Sequence, residues 1–372
     1  MDPIKVLVVD DTILYRKVVG DVIASIPGAE VCGTAANGRF ALTKIKTFKP
    51  DLITLDIEMP EMNGLELLEE LRKTGMKLPR IIMLSTLTTT GGDMTIRALE
   101  LGAFDFITKP QSGTAAENVE KIRTRLTPAV TALIQEKKFR SRLSNARATL
   151  ARTATPREAK PKPAATPASP SHRRITRPVS RASEVVTIGI STGGPNALAA
   201  MLPKLPADIG VPVLIVQHMP PVFTKSLAAS LNTKCAIEVK EAEDGDLLKP
   251  GLALIAPGGK QMRVEAHRDG IHRMVRITND PPENSCRPSA DYLFRSVADH
   301  YVGRATGIIM TGMGQDGFKG LQKMHENGAV ILAQDEASCT VYGMPKAPTE
   351  AGITDKVVPL SDMARALMGT LK

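Results

Sequence analysis

Two runs of consecutive apolar residues, VLVVD at 6–10 and IIMLS at 81–85, show no alternation of apolar and polar side chains. A strand with one wet face alternates; one that does not is buried on both faces, the situation of a parallel sheet covered by helices. That pattern narrows the first third of the chain to an α/β layer architecture. Strand-like runs at Ile4–Asp10, Glu30–Thr34, Asp51–Asp56, Arg80–Ser85 and Phe104–Thr108 alternate with helical spacing over Ile13–Ile26, Arg39–Phe48, Leu65–Arg72 and Met94–Leu101. A last helix is expected from about Ala115 to Arg140. Such alternation implies right-handed crossovers and a doubly wound sheet. Aromatics are only 3% of the chain and Trp is absent, so the cores must be built from aliphatic residues and Met.

A length of 372 residues suits two domains better than one. Order gives way at ARATLARTATPREAKPKPAATPASPSHRRITRPVSRAS (146–183), which has no apolar periodicity and reads as a flexible basic linker. Beyond Val185 the apolar runs VVTIGI, VPVLIVQH, GLALIAP and ATGIIMTG alternate with helical stretches near 197–202, 224–232, 290–298 and 319–327. A second α/β unit with its own sheet is expected. The expected units are therefore 1–125, a helix end and linker over 126–184, and 185–372.

The net charge of +9 is concentrated between Arg140 and Arg181, so it argues for a basic linker and not for a nucleic-acid-reading surface. Cys32, Cys235, Cys286 and Cys339 form no CxxC pair and read as reduced thiols. No apolar run reaches the ~18–20 residues of a membrane span, and the N-terminus has no leader pattern. A cytoplasmic monomer without membrane insertion is expected.

In an open parallel sheet, residues at the carboxyl ends of strands converge on one crevice. Asp10 and Asp11 end the first strand and Asp56 the third; Ser85 ends the fourth, and Lys109 follows the fifth. Carboxylates gathered there repel unless a cation joins them, and hard oxygen donors suit Mg²⁺. The set makes sense as a phosphoryl acceptor, in which one Asp attacks phosphorus while Lys, Ser and the metal hold the phosphoryl oxygens. Any one Asp alone is more often a helix cap or a structural residue.

In the second half, Gly189-Ile190-Ser191-Thr192-Gly193-Gly194 lies where a strand should turn into a helix, with glycines that let the chain present the Ser hydroxyl. A phosphate-binding turn is the competing reading. His218 at the end of VPVLIVQH and Asp316 in TGMGQDG favour the nucleophile: Ser needs a base, and the base needs a carboxylate. The glycines around Asp316 let backbone N–H groups face an oxyanion. The order Ser…His…Asp differs from that of α/β-hydrolases. His172, His267, His272, His300 and His325 lie away from strand ends and are weaker candidates for the base.

Residues 1–125 resemble a response-regulator receiver domain, a flavodoxin-like fold, through VVDD, LDIEMP-EMNG, MLST and FITKP. The resemblance makes Asp56 the phosphoacceptor. It assigns Asp10, Asp11, Asp56 and the Glu58 backbone carbonyl to the Mg²⁺ shell, Ser85 and Lys109 to phosphate contacts, and Phe106 to the aromatic switch. The second half resembles the catalytic domain of the CheB family, the chemotaxis protein-glutamate methylesterases, through IGISTGGP, VQHMPPVFT, VKEAEDGDLLKPG, IAPGG, CRPSADYLF, IIMTGMGQDG and AQDEASCTVYGMP. It implies Ser191 as nucleophile, His218 as base and Asp316 as its partner, with Thr192 and the Met313 backbone N–H at the oxyanion. The implied reaction is phosphorylation-activated hydrolysis of glutamate methyl esters on chemoreceptors, with glutamine deamidation, and no cofactor in the esterase step. A chemotaxis histidine kinase is the implied phosphodonor. Two other classes compete: a DNA-binding regulator, opposed by the α/β length of the second half, and an idle phosphate sink, opposed by a complete triad.

Overall fold

The computed structural model describes residues 3–75, 78–152 and 182–371, with backbone alone for 136 and 138–152; of the linker expected over 146–183, residues 153–181 lie outside the described residues. The first unit runs β1 (Ile4–Val9), α1 (Ile13–Ala24), β2 (Ala29–Ala35), α2 (Gly38–Phe48), β3 (Leu52–Asp56), α3 (Gly64–Lys73), β4 (Arg80–Ser85), α4 (Thr89–Glu100), β5 (Asp105–Thr108) and α5 (Ala115–Arg152). Its sheet has the order β2-β1-β3-β4-β5 and is parallel throughout. Leu7, Val8 and Val9 and the Ile81–Met83 stretch are fully buried, as strands covered on both faces must be. The chain reverses direction across the sheet between β1 and β3, which brings Asp10 beside Asp56.

Local chemistry fixes the helix starts. Asn37 caps α2 through the Phe40 N–H, and Asn63 with Glu66 forms a reciprocal capping box on α3. The fourth helix begins at Thr89, five residues before the expected Met94, because the Thr88 hydroxyl accepts from the Gly91 N–H. The fifth helix runs past the expected Arg140 to Arg152, since ARATLAR is rich in good helix formers.

The second unit runs β6 (Val185–Ile190), α6 (Gly194–Met201), β7 (Val213–Gln217), α7 (Phe223–Asn232), β8 (Glu238–Glu241), β9 (Leu252–Ile255), β10 (Gln261–Ala266), β11 (Arg273–Thr278), α8 (Ala290–His300), β12 (Ala305–Ile309), α9 (Phe318–Glu326), β13 (Val330–Gln334), α10 (Lys346–Glu350), β14 (Lys356–Val358) and α11 (Leu360–Met368). Seven strands form a parallel sheet ordered β14-β13-β12-β6-β7-β9-β8. The chain enters at β6, winds outward through β7, and later returns to the other side of β6 as β12. The crevice at the carboxyl end of β6 is thus the switch point of this sheet. The antiparallel hairpin β10–β11, which packs beside α8, was not expected. Its alternation is masked by Arg263, Glu265 and Arg276, which pair with one another on one face.

The two units share an apolar seam. Ile96 and Leu99 of α4 belong to the same buried cluster as Leu227, Ala228 and Leu231 of α7.

Candidate active site and phosphoacceptor site

In the first unit Asp10 and Asp56 are buried and Asp11 is exposed, and the three offer carboxylate oxygens within 4.8 Å of one another. The Lys109 Nζ lies 2.7 Å from Asp10 Oδ2 and 2.6 Å from Asp56 Oδ2, with its charge over the Tyr15 ring at 4.6 Å. Burial pushes Asp56 up to about 6 against the opposing pull of Lys109. Three carboxylates against one ammonium leave a deficit of positive charge among hard oxygen donors, which fits Mg²⁺. Gly64 makes the pocket possible: a Cβ there would meet the Asp56 carbonyl oxygen at 2.3 Å.

Ser85 and Phe106 do not join this cluster. The Ser85 hydroxyl accepts from Thr95 Oγ1 (2.7 Å) and donates to the Gly91 carbonyl (3.3 Å) on α4, with no bond to Asp56. Phe106 stacks on Phe223 of α7, with ring centroids 4.6 Å apart.

In the second unit Ser191 follows β6 in a sharp turn. Its N–H donates to the Thr311 carbonyl (2.9 Å), and its carbonyl accepts from the Gly194 N–H (2.7 Å) and from Gln217 Nε2 (3.0 Å). Gly193, at φ 74°, supplies the left-handed step into α6. A side chain on Gly312 would strike the Ser191 Cβ at 2.8 Å, so the loop after β12 can approach the turn only through glycine. The His218 N–H donates to the Ile190 carbonyl (3.1 Å), which seats the imidazole at the end of the neighbouring strand.

His218 Nε2 lies 2.8 Å from Asp316 Oδ2. Asp316 is buried at the N-terminus of α8: its oxygens also accept from the Ala290 N–H (2.6 Å), Ser289 Oγ (2.7 Å) and Asn284 Nδ2 (2.7 Å). Burial would raise its carboxyl, but His218 and these donors outweigh it and hold Asp316 down to about 2. Burial of His218 disfavours its charge, yet Asp316 and then the Cys286 thiol, whose Sγ is 3.7 Å from Nδ1, outweigh it and raise His218 to about 9. His218, Cys286 and Asp316 are close enough to suggest a metal cluster, but Asp316 and Cys286 address opposite nitrogens of one ring. A single ion could not take all three without the ring turning.

The Met313 residue is half-exposed between Gly312 and Gly314. Burial pushes the Asp105 carboxylate of β5 up to about 7, against a bond from the Phe106 N–H and the pull of the nearby Thr192 hydroxyl. Receiver groups therefore reach to within one residue of Ser191. Further bonds cross the same seam: Asn196 Nδ2 to the Ala103 carbonyl (2.9 Å), Ser226 Oγ to Asp93 (2.6 Å), and Lys234 Nζ to Glu100 (2.5 Å). Sequence reasoning missed Gln217, Asn284, Cys286 and Ser289. Of these only Ser289, a helix-capping Ser before ADYLF, carried a local signal.

A flavodoxin-like unit with a carboxylate cluster, packed on a doubly wound unit with Ser, His and Asp at its switch point, defines a class: a receiver-coupled hydrolase with a parallel-sheet core. Residues 186–367 match the CheB methylesterase family and residues 6–120 match the response regulator receiver domain. The chain is 55% identical to a protein-glutamate methylesterase/protein-glutamine glutaminase of Desulfotalea psychrophila over the whole of both chains. It is 42% identical to one of Treponema denticola over 99% of this chain and 98% of that one. The crystal structure of the Thermotoga maritima CheB methylesterase catalytic domain aligns over 51% of this chain and 99% of its own, at 39% identity and a TM-score of 0.49. The chain belongs to the CheB methylesterase family and is a hydrolase. No helix among the described residues is long and apolar enough to cross a membrane.

Proposed function

We propose that this protein hydrolyses glutamate γ-methyl esters on chemoreceptors with release of methanol, converts receptor glutamines to glutamates by the same chemistry, and is switched on by phosphate on Asp56. The observation that carries the reading is the His218–Asp316 bond of 2.8 Å at the strand end beside Ser191.

With Nε2 committed to Asp316, Nδ1 is the nitrogen left to take the Ser191 proton. The Ser191 oxygen attacks the ester carbonyl, and the Met313 N–H and Thr192 stabilise the oxyanion. The imidazolium returns its proton to the departing methoxide, or to the amide nitrogen, which leaves as ammonia. Water, deprotonated at the same nitrogen, then cleaves the acyl-enzyme. Asp316 keeps its charge throughout because its donors favour the carboxylate.

Asp10, Asp11, Asp56 and the Glu58 carbonyl would hold Mg²⁺, which offsets charge on the phosphoryl oxygens when bound. Lys109, now bridging Asp10 and Asp56, moves to the phosphoryl group, and Ser85 must leave Thr95 to reach it. Such a move pulls on α4 and β5, the elements that pack against α6 and α7. The receiver thereby loosens beside Thr192 and opens the site. A chemotaxis histidine kinase supplies the phosphate, and the chain acts in the cytoplasm as a monomer.

The test is methanol release from methyl-esterified receptor membranes, with and without a small phosphodonor and Mg²⁺. Ser191→Ala should lose at least about 10³-fold in rate, and Asp56→Asn should keep basal release but lose the stimulation. Release that survives Ser191→Ala would overturn the mechanism; stimulation that survives Asp56→Asn would overturn the switch.

A further inference from the structure

Cys286 is held against the imidazole by a tight turn. Glu283 and Cys286 exchange backbone bonds (3.0 and 2.8 Å) around Asn284 at φ 52° and Ser285 at φ 62°. Two successive left-handed residues make a type I′ turn, which is costly without glycine and persists only where surrounding contacts fix it. The anchors are Asn284 Nδ2 bonds to Asp316 Oδ1 (2.7 Å) and Asp291 Oδ2 (2.9 Å). The turn thus ties the thiol to the same carboxylate that orients His218. The order Cys286 Sγ–Nδ1 His218 Nε2–Asp316 is that of a thiol activated by an oriented imidazole, and it uses the nitrogen that Ser191 needs.

Among the described residues the other thiols have no such neighbour. Burial pushes Cys32 and Cys235 up, and Cys339 is pushed up to about 12 by burial together with Asp335 and Glu336. Cys286 is half-buried and faces the His218 imidazole, whose charged form Asp316 favours.

We propose that Cys286 is a modification site built into the esterase centre, which takes hydroperoxides and soft alkylating electrophiles and, once capped, stops ester hydrolysis by occupying His218 Nδ1. The inhibition half of this inference rests on the catalytic reading given above. With hydrogen peroxide, the thiolate sulfur attacks one oxygen; an S–O bond forms and the O–O bond breaks. The departing hydroxide takes the His218 proton and leaves as water, so sulfur is oxidised to the sulfenic acid and the peroxide is reduced. Two equivalents of dithiothreitol thiol return the cysteine, with water and the oxidised dithiol as products. With iodoacetamide an S–C bond forms, iodide leaves, and the cap is permanent.

The experiment exposes the full chain briefly to iodoacetamide or to hydrogen peroxide, maps each cysteine by mass spectrometry, and follows methanol release from the same samples. Cys286 should react at least about tenfold faster than Cys32, Cys235 and Cys339. Esterase rate should fall in step with its modification, and return with dithiothreitol after peroxide only. Cys286→Ala should keep its treated-to-untreated rate ratio near one, and Ser191→Ala should still label selectively. Labelling of Cys286 no faster than the other three, full modification with the rate intact, or equal inhibition of Cys286→Ala would overturn the proposal. A chain that labels selectively but never released methanol would instead count against the esterase reading.

Discussion

His218 is asked to accept a proton from Ser191, yet Asp316 on one nitrogen and Cys286 on the other both favour its protonated form. Only the neutral ring is a base, and its share grows as pH rises towards the value near 9 at which the group titrates. The rate of methanol release at limiting substrate should therefore climb about tenfold per pH unit from neutrality and level off near pH 9. Cys286→Ala should move the rise to lower pH, because the thiol is one of the groups that raise His218. A profile flat above pH 6.5 would show that the imidazole is already neutral. The same shift has a stability sign: the raised His218 value adds stability below its unfolded value of about 6.5, which is lost as pH rises through about 9. The placement of Ser191, His218 and Asp316 was legible because each follows an apolar run that forms one of three neighbouring strands, where topology forces convergence. Cys286 was not, because its place depends on two non-glycine residues in left-handed geometry, and nothing local in ENSC announces such a turn.

Element by element, most strands buried on both faces were easy to read, but Val330–Gln334, equally buried, was not read as one, because only its motif AQDEASCTVYGMP was singled out. The Arg80–Ser85 strand matches its expected bounds residue for residue, since an uninterrupted apolar run admits few other readings. The short outer strands Glu238–Glu241 and Lys356–Val358 carry charge and little length, and escaped notice. The fourth helix was begun too late because Gly91 and Gly92 depress helix propensity. Their use lies across the seam: a Cβ on Gly92 would press Val222 Cγ1 at 3.1 Å. On the adjoining strand, Phe106 makes the one aromatic stack recorded among the described residues, and it does so with the partner unit. An aromatic pair of this kind is worth about 0.5–1.5 kcal/mol beyond its area. Phe106→Ala should consequently raise basal methanol release about 2- to 10-fold and shrink the further gain from phosphodonor. Unchanged basal release would remove the stack from the closed arrangement.

For the whole molecule, the seam between the units is apolar at α4 and α7 and polar around it, with Asp93 and Glu100 each accepting from the second unit. Several modest contacts of this kind are what a switch needs, since a tenfold change in activity takes only about 1.4 kcal/mol between closed and open arrangements. Nothing in the sequence of either half alone specifies the seam; it arises where two separately legible surfaces meet. One buried cluster that crosses from α4 to α7 also has a thermal meaning. Two bodies that share part of their interior lose stability together, so warming the unphosphorylated chain should give one calorimetric transition spanning both. Phosphodonor with Mg²⁺ should divide that transition in two, while Asp56→Asn should melt as one unit in either buffer. Two peaks before any phosphodonor is added would mean that the shared interior does not couple the halves. With one peak that divides, the receiver would hold its partner shut and also lend it resistance to heat, which the enzyme gives up each time it is turned on.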